Sequence, residues 1–129
     1  MPLRTIILDL QSALYAKAIR RLLAQELDDC RVTVSKTPSE TAAQSRLLRP
    51  DTLLLEVTDF APWTLDERLA LCAQVKKDAP GCKTALIADD AAPHELTERI
   101  KKAKQRGDID AFLFTSATEE YLVAMVDSL

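Results

Sequence analysis

Only two glycines occur in 129 residues, so no glycine-rich loop is available to cradle a phosphate, and no GxGxxG, P-loop, GxSxG or HExxH pattern is present. His94 is the single histidine, and Cys30, Cys72 and Cys82 are odd in number and lack CxxC spacing. That combination argues against a zinc site, a disulfide framework and a histidine-based catalytic dyad. No apolar run approaches the roughly 18 to 20 residues that cross a bilayer. The opening Met1-Pro2-Leu3-Arg4 leads directly into a strand-like run, unlike a signal peptide. A net charge of −3 gives no general pull toward nucleic acid or anionic lipid. The expectation is a protein of the reducing cytoplasm that contacts neither membrane nor, through this domain, nucleic acid.

Apolar residues make up 47% of the chain and charged residues 29%, the balance of an ordinary globular protein. The length suits one domain spanning residues 1–129. The last helical pattern reaches Leu129 without a stop signal, as it would in a chain cut from a longer protein. Five strand-like runs are legible: 5–9, 31–35, 52–57, 84–88 and 111–115. Ile6-Ile7-Leu8 and Leu53-Leu54-Leu55 do not alternate with polar residues, which suits strands covered on both faces. Between the strands lie helix signals. Thr37-Pro38-Ser39-Glu40, Thr64-Leu65-Asp66-Glu67 and Ser116-Ala117-Thr118-Glu119 read as capping boxes, the first with proline at the opening helical position. Pro93 opens a fourth helix, closed by Gly107 after a basic last turn. Leu65, Leu69, Cys72 and Val75 form one apolar stripe, and Leu122, Met125, Val126 and Leu129 another. Five alternations with short connections predict an α/β fold, a (βα)5 doubly wound five-stranded parallel sheet. In such sheets ligands gather beyond the carboxyl ends of the strands. Asp9, Glu56 and Asp89-Asp90 stand there, followed by Thr115-Ser116 after the fifth strand.

These segments resemble, in order and over the whole chain, the receiver domain of response regulators (CheY-like). Thr5-Ile6-Ile7-Leu8-Asp9 is similar to the first receiver strand, which ends in an acidic pair. Arg49-Pro50-Asp51-Thr52-Leu53-Leu54-Leu55-Glu56 resembles the strand whose final Asp accepts phosphate. Lys83-Thr84-Ala85-Leu86-Ile87-Ala88 resembles the strand that ends in a Thr or Ser ligand. Gly107 with Asp110-Ala111-Phe112-Leu113-Phe114-Thr115-Ser116 resembles the segment carrying a lysine.

Against that family pattern the chemistry is missing. Leu10 stands at the second acid, Glu56 at the phosphoacceptor, Ala88 at the hydroxyl and Thr115 at the lysine. Phosphoryl transfer needs metal, cation and positioning, so the resemblance implies a degenerate pseudo-receiver, not an enzyme, holding no cofactor and with magnesium disfavoured. It also implies a protein partner on the face of helix four, strand five and helix five, around Phe112, Arg99 and Lys102, with a homodimer as one form of that contact. The basic run Arg99, Lys101, Lys102, Lys104 and Arg106 reads equally as a solvated helix face. Two other readings stand beside this one. Glu56, Asp9 and Asp89 could form an unusual metal-dependent phosphoryl pocket, or the chain could bind a small ligand in flavodoxin fashion. The loop Leu10-Gln11-Ser12-Ala13-Leu14, with one hydroxyl and no glycine, disfavours the latter. Trp63, the only tryptophan, reads either as an exposed partner anchor or as a lid over the site.

Overall fold

The two continuous apolar runs pair side by side, Ile7 with Leu53 and Leu8 with Leu54, and all six of their residues have zero exposure. They form the centre of a five-stranded parallel sheet in a computed structural model that describes residues 3–129. In chain order the elements are β1 (Arg4–Asp9), α1 (Ala13–Glu26), β2 (Cys30–Ser35), α2 (Pro38–Leu48), β3 (Thr52–Val57), α3 (Leu65–Asp78), β4 (Lys83–Ala88), α4 (His94–Gln105), β5 (Ala111–Phe114) and α5 (Glu119–Ser128). The sheet order is β2-β1-β3-β4-β5. The order therefore reverses between β1 and β3, and a crevice opens beyond their carboxyl ends. No helix among the described residues is long and apolar enough to cross a membrane.

Alternate residues of each central strand feed opposite layers. Ile6, Leu8, Leu54, Ala85 and Ile87 pack with α1 and α5, while Ile7, Leu53, Leu55 and Leu86 pack with α3 and α4. Period-two alternation of the pleat makes both faces apolar. Of the predicted stripes, Leu65, Cys72, Val75, Leu122 and Val126 are buried, and Leu69, Met125 and Leu129 are half-buried. Cys72 has zero exposure, and burial pushes its thiol up to about 11.

The capping signals hold unevenly. Thr37 caps α2 as expected, its hydroxyl accepting from the Glu40 N–H at 3.1 Å. Thr64 occupies the N-cap of α3, but its hydroxyl donates to the Glu67 carboxylate at 2.8 Å and bonds no backbone N–H. Ser116 is not a cap. The α5 cap is Thr118, which accepts from the Tyr121 N–H at 3.1 Å, because Ser116 and Ala117 complete the turn after β5. Gly107 adopts φ +81° just past α4, the left-handed conformation that glycine takes without a Cβ penalty. Four of the ten strand boundaries shift by one residue from the expected ranges, within the usual fraying of assignments.

The cap geometry makes a direct prediction. Thr37→Ala should cost about 1 kcal/mol, and Ser116→Ala, which removes no cap, a few tenths or less. Urea unfolding with unchanged m-values is the measurement; equal losses would contradict the assigned caps.

Candidate functional site

β1 ends in Asp9, and the strand delivers this carboxylate to the reversal point with zero exposure. An ionised carboxylate there needs a partner in the interior. It has one. Arg68, in the second turn of α3, is also fully buried and closes a two-pronged ion pair on it. Nη1 donates to Asp9 Oδ2 at 2.9 Å, and Nη2 donates to Oδ1 at 3.1 Å and to the Asp9 carbonyl at 2.9 Å. Nε donates to the Glu56 carbonyl at 2.7 Å. One guanidinium thus ties α3 to the ends of both β1 and β3. Thr41 of α2 completes the shell, donating to Asp9 Oδ2 at 2.7 Å and lying 2.6 Å from the Ser35 hydroxyl.

Glu56 turns the other way. Its Oε1 accepts from the Gln11 N–H at 2.7 Å and, more weakly, from the Ser12 N–H at 3.4 Å. Ser12 is itself the N-cap of α1, accepting from the Tyr15 N–H at 3.2 Å. The carboxylate therefore sits at the positive end of a helix, where unpaired N–H groups and the helix dipole favour negative charge. Leu10, read from the resemblance as replacing a second acid, is buried in the layer between the sheet and α1 and α5. Ala88 is buried and offers no hydroxyl. Thr115 is exposed, and its hydroxyl accepts from the Asp90 N–H at 3.3 Å while Asp90 Oδ1 accepts from the Ser116 N–H at 3.2 Å. This reciprocal pair joins the loops after β4 and β5 with no cation between them.

Asp89 shares with Glu56, Asp59 and Phe60 a cleft of about 430 Å3 whose lining contains no lysine or arginine. One Asp89 oxygen is held by the Ala91 N–H at 2.7 Å, closing its own loop. Asp9 is not in the lining of this cleft, so the three acids of the alternative metal-dependent reading do not share it. Among the described residues no group of three His, Cys, Asp or Glu side chains is placed to hold a metal ion. The residues at the strand ends do not fit magnesium. Both oxygens of Asp9 are bonded to Arg68, and its neighbour in sequence is a leucine. Magnesium demands several free oxygen ligands in near-octahedral array.

One aromatic placement differs from expectation. Trp63 does not line the cleft. It is half-buried, its indole N–H is enclosed without a partner, and its carbonyl accepts from the Thr58 N–H at 2.9 Å. Phe60 is the aromatic at the cleft, with 67% of its surface exposed. Phe112 is half-buried and meets Phe114 edge to face, with centroids 6.0 Å apart. The basic residues of α4 divide. Arg99 pairs with Asp66 of α3 and Arg106 with Asp108, whereas Lys102 is exposed and free of ion pairs among the described residues.

Arg68 and Tyr15 escaped the sequence reading. Arg68 stands three residues after Leu65 and four before Cys72, inside the buried stripe of α3. A charge at that spacing signals an interior counter-ion. Tyr15 is half-buried, and burial, then the charges of Glu56 and Asp90, push its phenol above the usual range.

The buried pair should dominate stability. Arg68→Met leaves the buried Asp9 carboxyl without its cation, at a cost of about 3–5 kcal/mol. Adding Asp9→Asn should recover a substantial part of that loss in urea unfolding. Additive losses would show that the two residues act independently.

No family model matches the sequence, and no curated protein matches it. Solved structures do. The chain superposes on a CheY-like response regulator receiver domain protein from Methanospirillum hungatei with a TM-score of 0.77 at 15% identity, covering 98% of this chain and 92% of that one. A response regulator from Thermotoga maritima gives 0.78 at 17% identity, covering 98% and 96%. An adenylate cyclase structure from Rhodopirellula baltica gives 0.81 at 11% identity, covering 98% and 86%. With five parallel strands in the order β2-β1-β3-β4-β5 and a helix after each, this chain has the receiver fold of CheY-like response regulators.

Proposed function

We propose that this chain is a receiver-like signalling module of two-component type that acts by protein–protein contact without being phosphorylated, and that it is not an enzyme. The observation that carries this reading is the Asp9–Arg68 pair. A receiver built for phosphate uses its first-strand acids to recruit a divalent cation. Here the only acid at that position already holds a cation supplied by the chain itself. The remaining polar groups point the same way. Glu56, Asp59 and Asp89 line the cleft without a basic residue, so a phosphoryl group of charge about −1.5 to −2 would meet carboxylates on entry. No hydroxyl at Ala88 and no amine at Thr115 is available to receive its oxygens.

The partner contact is assigned to α4, β5 and α5. Phe112, Phe114 and Tyr121 border a shallow hollow of about 500 Å3 between β5 and α5, Tyr121 is exposed, and Lys102 on α4 is exposed and free of ion pairs among the described residues. Aromatic anchors ringed by polar residues are the usual composition of an interface core. The module is assigned to the cytoplasm, where two-component signalling operates. The metal-dependent alternative has no observation in its favour, since Asp9, Glu56 and Asp89 each spend an oxygen elsewhere.

An amide NMR titration, first with Mg2+ and then with beryllofluoride as a phosphoryl mimic, tests the reading. The expected result is no saturable shift at Asp9, Gln11, Glu56 or Ala88. Saturable shifts clustered at those residues would refute phosphorylation independence and revive a metal-dependent switch.

A further inference from the structure

The loop between β3 and α3 is closed on itself by three hydrogen bonds. The Phe60 N–H donates to the Thr58 hydroxyl at 3.1 Å, the Trp63 N–H donates to the Phe60 carbonyl at 2.8 Å, and the Thr58 N–H donates to the Trp63 carbonyl at 2.9 Å. A loop so tied holds Phe60 in the wall of the cleft of about 430 Å3 with 67% of its surface exposed. Val57 and Leu96 continue the apolar part of that wall. Glu56, Asp59 and Asp89 stand in the same lining, and none of the three is in an ion pair among the described residues. The groove therefore joins an unpacked aromatic ring to three carboxylates without a counter-ion.

We infer that this groove docks a segment of a partner protein through an arginine flanked by apolar side chains. Charge complementarity selects the occupant. With three carboxylates and no lysine or arginine in the lining, a cation is attracted and an anion repelled. A guanidinium suits the mixed wall better than an ammonium, because it forks onto carboxylates and also stacks on an aromatic face. The apolar neighbours of that arginine would cover Val57 and Leu96. Gln11, Asp59, Phe60, Asp89 and Ala91 are all exposed, so the groove is open along its wall and admits a chain segment, where an enclosing pocket would take a free amine. The ring and the acids are also placed in advance. The loop bonds above fix Phe60, and the Ala91 N–H holds one Asp89 oxygen at 2.7 Å, so little ordering entropy is lost on binding. The inference rests on the proposed function only in taking the module to work by protein contact. The surface is a different one, since this lining shares no residue with the hollow of Phe112 and Tyr121.

Amide NMR titration of the full chain with the capped peptide Leu-Arg-Leu tests this, with capped Leu-Gln-Leu and Leu-Glu-Leu as controls. The arginine peptide should give saturable shifts at Gln11, Thr58, Phe60 and Ala91, weaker at high salt. The glutamine peptide should bind about tenfold more weakly, and the glutamate peptide should leave the spectrum unchanged. Asp59→Asn with Asp89→Asn should weaken the arginine peptide about tenfold. Asparagine keeps an oxygen for the Ala91 N–H, and both side chains are exposed, so circular dichroism should report an unchanged fold. Phe60→Ala should weaken binding about fivefold. Several results would overturn the proposal: no saturable shift with the arginine peptide, equal shifts with all three peptides, or binding indifferent to both variants. Shifts clustered at Phe112 and Tyr121 would move the contact to the other surface. Shifts at the groove that grow with the concentration of the free chain would give it to a second copy, and either result overturns the assignment. A Mg2+ response at Asp9 and Ala88 would refute phosphorylation independence without touching the peptide result, so the two failures are distinguishable.

Discussion

Burying a carboxylate and a guanidinium together costs several kcal/mol of hydration per ion, which is recovered only with near-complete hydrogen bonding. The pair of Asp9 and Arg68 meets that condition. Four of the five guanidinium N–H groups are used, and both carboxylate oxygens are engaged. The geometry also fixes where α3 sits, because the same side chain reaches the carbonyls at the ends of two adjacent strands. A metal ion in this place would come and go with its concentration. A guanidinium is charged at all accessible pH and is tethered to the chain, so this ion pair depends on no added ion.

The rest of the crevice follows from that commitment. With Arg68 spent on Asp9, no cation faces the cleft, and Glu56 finds its partners in backbone N–H groups at the start of α1. A carboxylate so placed is stabilised by fixed dipoles that do not depend on any ligand. The loops after β4 and β5 are joined by Asp90 and Thr115 in the same self-contained way. Polar groups at the strand ends bond to one another and to the backbone.

Much of this was legible from local pattern. Uninterrupted apolar triplets marked the central strands, because only a strand covered on both faces can hold them. The stripes on α3 and α5 and the proline-led cap of α2 followed from helix geometry. The failures share a cause. Thr64 and Ser116 match a capping spacing, but whether a hydroxyl reaches a backbone N–H depends on how the preceding strand enters the helix. Trp63 was read as a partner anchor or a lid over the site, yet the path of the loop brings Phe60 to the cleft instead.

The sequence by itself determined the alternation of strands and helices, the residues that must be buried, and that position 88 carries no hydroxyl and position 115 no amine. Those are properties of single residues and of short periodicities. It left Asp9 as an acid without an assigned partner. Only the tertiary structure joined it to Arg68, 59 residues away, and turned Glu56 toward α1. The physical reason is that a buried charge is satisfied by whatever the packing of distant elements brings within hydrogen-bonding reach, and no local pattern encodes that distance.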